Sequence, residues 1–277
     1  MCTDGRRCEN CPVRRISAGP KVIAEALPAL GTVVAVTAND GALLSHTGEY
    51  LPPALPGAAL ICGDDRIGLR LDPRAISDVR LTPRALTLAG ESGSHRAYFT
   101  PMSDRLVAQA LQLAPTRQPE PARPVDWSTL SWRDADQLTH LDALTPERYR
   151  VLPFTGARMA DVRVVPHLLE HLAEMGLPFT VAVPGGGCVQ LHRGHAALAE
   201  RTETETSVVF GAARYVVDPS SVAEVWVTQS NGTTGVTSSV ELYDHSHRCI
   251  TVVTQTGPIC GHLHRGWEDI AGSLPAA

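Results

Sequence analysis

The sequence predicts an α+β protein built as a duplicated repeat of antiparallel β-sheets with packing helices. Three observations carry this: an internal match at one constant offset, an amphipathic helical stretch at the head of each matched half, and runs of short alternating strands with few helices between them. Leu71-Asp72-Pro73 through Thr82 aligns with Val217-Asp218-Pro219 through Thr228, apolar on apolar and Asp-Pro on Asp-Pro. The same offset lays residues 34–48 on 180–194, placing Gly41 on Gly187 and His46-x-Gly48 on His192-x-Gly194. Two segments in one register mark a duplication. Ala97-Tyr98-Phe99 and Glu241-Leu242-Tyr243 form a third match with the register slightly slipped, as when a hairpin loop changes length.

The elements follow in order. In 20–30 the apolar residues Val22, Ile23, Ala26, Leu27 and Leu30, and in 166–175 Leu168, Leu169, Leu172 and Met175, recur at helical spacing behind a proline. Strands are predicted at 33–37 and 179–183, then turns containing Asn39-Asp40-Gly41 and Gly185-Gly186-Gly187, then strands at 42–46 and 188–192. Alternation continues at 77–82, 97–99, 223–228, 240–243 and 249–254. Pro115, Pro119, Pro121 and Pro124 make 114–126 a stiff linker. The division is therefore a cysteine-rich leader at 1–19, a first repeat at 20–113, the linker, and a second repeat at 127–277. The helical stretch 127–146 has no counterpart ahead of the first repeat, so a site built on it would exist once.

The 277 residues are enough for a substantial core, and 24 basic against 29 acidic side chains give a net charge of -5. That balance gives no pull toward nucleic acid, and no run of 18 apolar residues is available for membrane insertion. With single cysteines in apolar segments, a cytoplasmic location is expected. Cys2, Cys8 and Cys11 place three thiols close enough for a metal, an Fe-S cluster or redox chemistry. His167-x-x-Glu170-His171 has a zinc-like spacing, but the repeat puts Lys21 and Glu25 at the same positions, which an amphipathic packing helix explains. The pairs His245-x-His247 and His262-x-His264 are read as polar loops, and Gly185–Gly187, with no following Lys-Ser/Thr, as a tight turn.

Gly187-Cys188-Val189-Gln190-Leu191-His192-x-Gly194, the preceding Gly176-Leu177-Pro178, and Val236 through Asp244 with Trp267 resemble the second half of the haem-utilisation, haemin-degrading proteins of the HemS/ChuX type. In the first half, Ala29 through Thr37, Gly48-Glu49-Tyr50 and Ile67 through Leu71 follow that family's order. The resemblance implies a tandem-repeat fold and a cytoplasmic protein that binds haem or another porphyrin where the halves meet. It implies haem trafficking or haem degradation with iron release, alongside a haem importer or a downstream haem oxygenase. The family's axial histidine falls on Asp136 in this chain, and His140 lies one helical turn on. The residues expected to contact haem are thus His140, Arg96 beside His95, His192 and its repeat equivalent His46. The alternative is a non-catalytic scaffold, or a redox- or metal-responsive protein, that kept the fold and lost haem ligation.

Overall fold

The computed structural model describes residues 13–54, 66–113, 131–132, 135–142, 144 and 146–277. In chain order these form β1 (Arg14–Arg15), α1 (Pro20–Ala29), β2 (Gly31–Ala38), β3 (Ala42–Gly48), β4 (Gly68–Leu71), β5 (Asp78–Leu81), β6 (Ala85–Ala89), β7 (Ser94–Ser103) and α2 (Arg105–Leu113). Next come α3 (Gln137–Asp142), α4 (Pro146–Arg150), β8 (Arg158–Ala160), α5 (Val164–Glu174), β9 (Phe179–Gly185) and β10 (Cys188–Gly194). The chain ends with β11 (Leu198–Arg201), β12 (Thr206–Phe210), β13 (Ala213–Val217), β14 (Glu224–Asn231), β15 (Val236–Tyr243), β16 (Cys249–Thr254) and α6 (Gly261–Ser273). The predicted linker at 114–126 and the three leader cysteines lie outside the described residues.

Two antiparallel sheets result. One runs β1-β5-β6-β7-β2-β3-β13-β12-β11 and the other β4-β10-β9-β16-β15-β14-β8. Each sheet therefore contains strand from both halves of the sequence. The strand β4 leaves its own half to pair with β10, where Leu71 faces Cys188, and β13 crosses the other way to pair with β3, where Val217 faces Ala42. These two registers are the same register under the repeat offset, so the exchange is reciprocal and pseudo-two-fold. The end of the leader also joins the fold: β1 pairs with β5, and Ile16 and Ala18 are buried in the first core.

The third sequence match is corrected by the pairing. Ala97 of β7 faces Ala35, whereas the residue that faces the repeat-equivalent Val181 is Val253 of β16, so β7 corresponds to β16 and not to β15. The hairpin β14–β15 has eight residues in each strand, against four and five in β5 and β6, and this extra length shifts the last strand of the second half along the chain. His262-x-His264 is also placed differently from its expectation: both residues lie in α6, whose Trp267 and Ala271 are buried at helical spacing with Leu263 and Ile270 beside them.

The helices cover the sheets on the faces their apolar residues dictate. Ile23 and Leu27 of α1 and Ala108 and Leu111 of α2 pack with Val33, Leu88 and Ala97 in one core. Leu168, Leu169 and Leu172 of α5 and Trp267 of α6 pack with Phe179, Val181, Val240 and Tyr215 in a second, larger one. On the opposite face of the seven-stranded sheet, Leu141, Leu144 and Tyr149 from α3, α4 and the residues joining them lie on Ala182, Leu191, Trp226 and Val252. No helix among the described residues is long and apolar enough to cross a membrane.

The turn between β9 and β10 is where the sheets approach most closely. Gly186 has φ +65°, and a Cβ there would lie 2.5 Å from the Leu88 carbonyl oxygen and 2.8 Å from the Ser94 Cα. Both the backbone conformation and the space require glycine. Replacing it by alanine is expected to cost about 3 kcal/mol, from the left-handed backbone and the steric overlap together, read as a lowered midpoint in urea unfolding.

Candidate ligand-binding site

The site is assembled on the helical cover of the seven-stranded sheet. Asp136 caps α3: its carboxylate accepts from the Thr139 backbone N–H at 2.9 Å and from the Thr139 hydroxyl at 3.0 Å. Gln137 then pins the helix to the sheet, its amide donating to Thr254 Oγ1 and to the Gln255 carbonyl. At the other end Asp142 receives Arg70 of β4 in a two-point ion pair at 2.5 and 2.7 Å, with both side chains buried. A strand from the first half thereby fixes a helix of the second.

These anchors set His140 in the interior, 5% exposed. Its Nε2 is 2.9 Å from the Trp132 carbonyl oxygen, and its Nδ1 is 3.0 Å from Arg148 Nη2. A carbonyl only accepts and a guanidinium only donates, so the proton sits on Nε2 and the Nδ1 lone pair faces Arg148. The imidazole stands edge-on to Trp132, with ring centroids 5.2 Å apart, and close to Phe154. Burial, reinforced by the positive charge of Arg148, lowers its pKa to about 4, so it is neutral at pH 7.

Arg148 is the hub. Its Nη2 also donates to Glu241 Oε1 at 2.6 Å, and its guanidinium carbon lies 4.5 Å from the Trp132 ring centre and 5.1 Å from that of Phe154. Glu241 further accepts from the Thr228 hydroxyl at 2.5 Å and the Tyr243 hydroxyl at 2.6 Å. Burial alone would raise this carboxyl, but Arg148 and the two hydroxyls outweigh it and hold the pKa below the usual value. Beside this network Tyr149 donates its hydroxyl to Glu224, which also accepts the Trp226 indole N–H, while the His247 ring stacks on Tyr149 at 4.0 Å.

The other candidate residues lie elsewhere. His46 and His192 face each other between the sheets, ring centroids 4.9 Å apart and edge to face, with His192 also against Phe210. The interior where the halves meet is filled by this pair and by the Thr37 hydroxyl donating to Gln190, so a macrocycle there would require the sheets to part. Arg96 is exposed on the outer face of the nine-stranded sheet, its Nη1 3.3 Å from the Tyr98 hydroxyl. His167 is largely exposed beside Glu170, and the described residues contain no group of three His, Cys, Asp or Glu able to hold a metal. Arg148, Trp132 and Phe154 were not marked by sequence reading. The available signal was Glu241, a lone carboxylate in a strand of otherwise apolar and hydroxyl residues, which needs a buried cation.

Two exchanged antiparallel sheets with a helical cover enclosing an imidazole and an ion pair define a duplicated α+β architecture. Residues 148–274 match the family profile of the haemin-degrading HemS.ChuX domain. The chain is 28% identical over 276 residues to the hemin transport protein HmuS of Yersinia pestis, an alignment covering 83% of this chain and 76% of that protein. Among solved structures it superposes on the heme degrading enzyme ChuS of Escherichia coli O157:H7 with a TM-score of 0.74 at 18% identity, over 95% of this chain and 87% of that one. It superposes on holo-PhuS, a heme-binding protein from Pseudomonas aeruginosa, with a TM-score of 0.69 at 19% identity, over 96% and 88%. Residues 148–274 thus resemble the HemS.ChuX domain, and the chain as a whole shares the fold of ChuS and PhuS.

Two expectations follow. Glu241→Gln removes the charge that balances a buried guanidinium and should cost about 3 to 5 kcal/mol of stability, whereas Glu241→Gln combined with Arg148→Met leaves no unpaired charge and should recover most of it in urea unfolding. His140 and His192, each at about 4, and His95, lowered by burial to about 3, all lie below the unfolded histidine value of about 6.5. Because the unfolded chain binds more protons, their contribution is complete above about pH 6.5 and is lost as pH falls toward 4. Unfolding midpoints measured across that range should fall steadily, and less steeply in a His140→Gln variant.

Proposed function

We propose that this protein binds haem and serves haem utilisation, by trafficking it or by taking part in its degradation with release of iron. The observation that carries this reading is the match of residues 148–274 to the HemS.ChuX profile, because that segment contains Arg148, Tyr149, Glu241 and the sheet beneath His140. Haem requires apolar contacts for the ring, polar or basic groups for the propionates and, in most sites, an imidazole for the iron. The α3 and α4 layer and the sheet beneath it bring those residue types together: Trp132 and Phe154 as aromatic surface, Tyr243 as a hydroxyl donor, and His140 as the imidazole. A haem importer upstream and a haem oxygenase downstream are the partner classes it implies, and the metal or cluster site at Cys2, Cys8 and Cys11 rests on their spacing alone.

The scaffold alternative draws on a different observation: Asp136, which the family resemblance aligns with the axial histidine, is committed to capping α3. Titration of the purified protein with haemin separates the two. A shifted Soret band saturating at one equivalent, weakened at least tenfold in His140→Ala, is expected. No shift at micromolar protein would favour the scaffold.

A further inference from the structure

We propose that Arg148 is a positioning residue that controls whether His140 is open to iron, keeping the imidazole closed until the contact between them is released. This rests on the haem reading above. An imidazole ligates a metal through a ring nitrogen lone pair, and in His140 neither nitrogen offers one. Nε2 carries its proton toward the Trp132 carbonyl, and the Nδ1 lone pair accepts from Arg148 Nη2. Ligation therefore demands that at least one of the two contacts break, and Arg148 is the partner with a reason to leave. Its Nε and Nη1 have no hydrogen-bond partner among the described residues although the side chain is fully buried. Buried N–H donors without an acceptor penalise the closed arrangement. Against that cost, Glu241 and the faces of Trp132 and Phe154 hold the guanidinium in place.

The closed arrangement acts as a tax on binding: the fraction of molecules with His140 available scales the observed affinity. Replacing Arg148→Met together with Glu241→Gln removes the guanidinium without stranding a buried charge, and a thermal melt establishes that the variant is folded. In the haem-free protein the His140 Nδ1 resonance, followed by long-range proton–nitrogen NMR, should move toward that of an acceptor nitrogen without a donor. With haemin, the double variant should bind at least tenfold more tightly than the native chain, with a histidine-ligated spectrum that His140→Ala abolishes. An unchanged Nδ1 resonance, or equal or weaker haemin affinity in the folded variant, overturns the proposal. Haemin binding by neither protein overturns the haem reading, while the resonance still reports on the Arg148 contact.

Discussion

The reciprocal exchange of β4 and β13 is the constraint on which the rest of the structure depends. Each half of the sequence supplies a hairpin and a later strand, β4 or β13, that pairs with the other half's hairpin, and a backbone left unpaired in a buried strand would carry the full penalty of unsatisfied donors and acceptors. The two sheets consequently form together. The exchange also explains why residues remote in sequence meet: Arg70 reaches Asp142 only because β4 sits at the edge of the seven-stranded sheet.

From that edge the helical cover inherits its position. The Arg70–Asp142 pair holds one end of α3, the Asp136 cap shapes the other, and Gln137 ties the helix to β16. His140, one turn from the cap, has no freedom to point elsewhere. The cover meets the sheet through apolar side chains and through a buried ion pair, an arrangement that hydrophobic packing alone would not select. Glu241, Arg148 and His140 form a chain in which each buried group is tolerable only because of the next. Such a chain adds little net stability. It does specify one geometry and one imidazole tautomer.

The duplication has been used asymmetrically. His46 and His192, strictly equivalent in the repeat, became internal packing partners of one another near the pseudo-two-fold axis. The buried network of His140, Arg148 and Glu241 instead lies where α3 and α4 meet the seven-stranded sheet.

Helices α1 and α5, the hairpins β2–β3 and β9–β10, and the duplication with its main register were legible in the residues, because hydrophobic periodicity and turn chemistry act over a few neighbours. The α+β class and the family resemblance followed from the same local patterns. Tertiary structure alone decided which sheet each strand joins, since β4 and β13 carry the same apolar alternation whichever partner they take. It also decided the pairing of β7 with β16 as repeat equivalents, through the length of one hairpin. Arg148 on a five-residue helix and Glu241 on a strand ninety-three positions away give no local signal of one another. Their meeting beside His140 depends on long-range packing and on the cost of burying a charge alone, and neither can be read from a window of sequence.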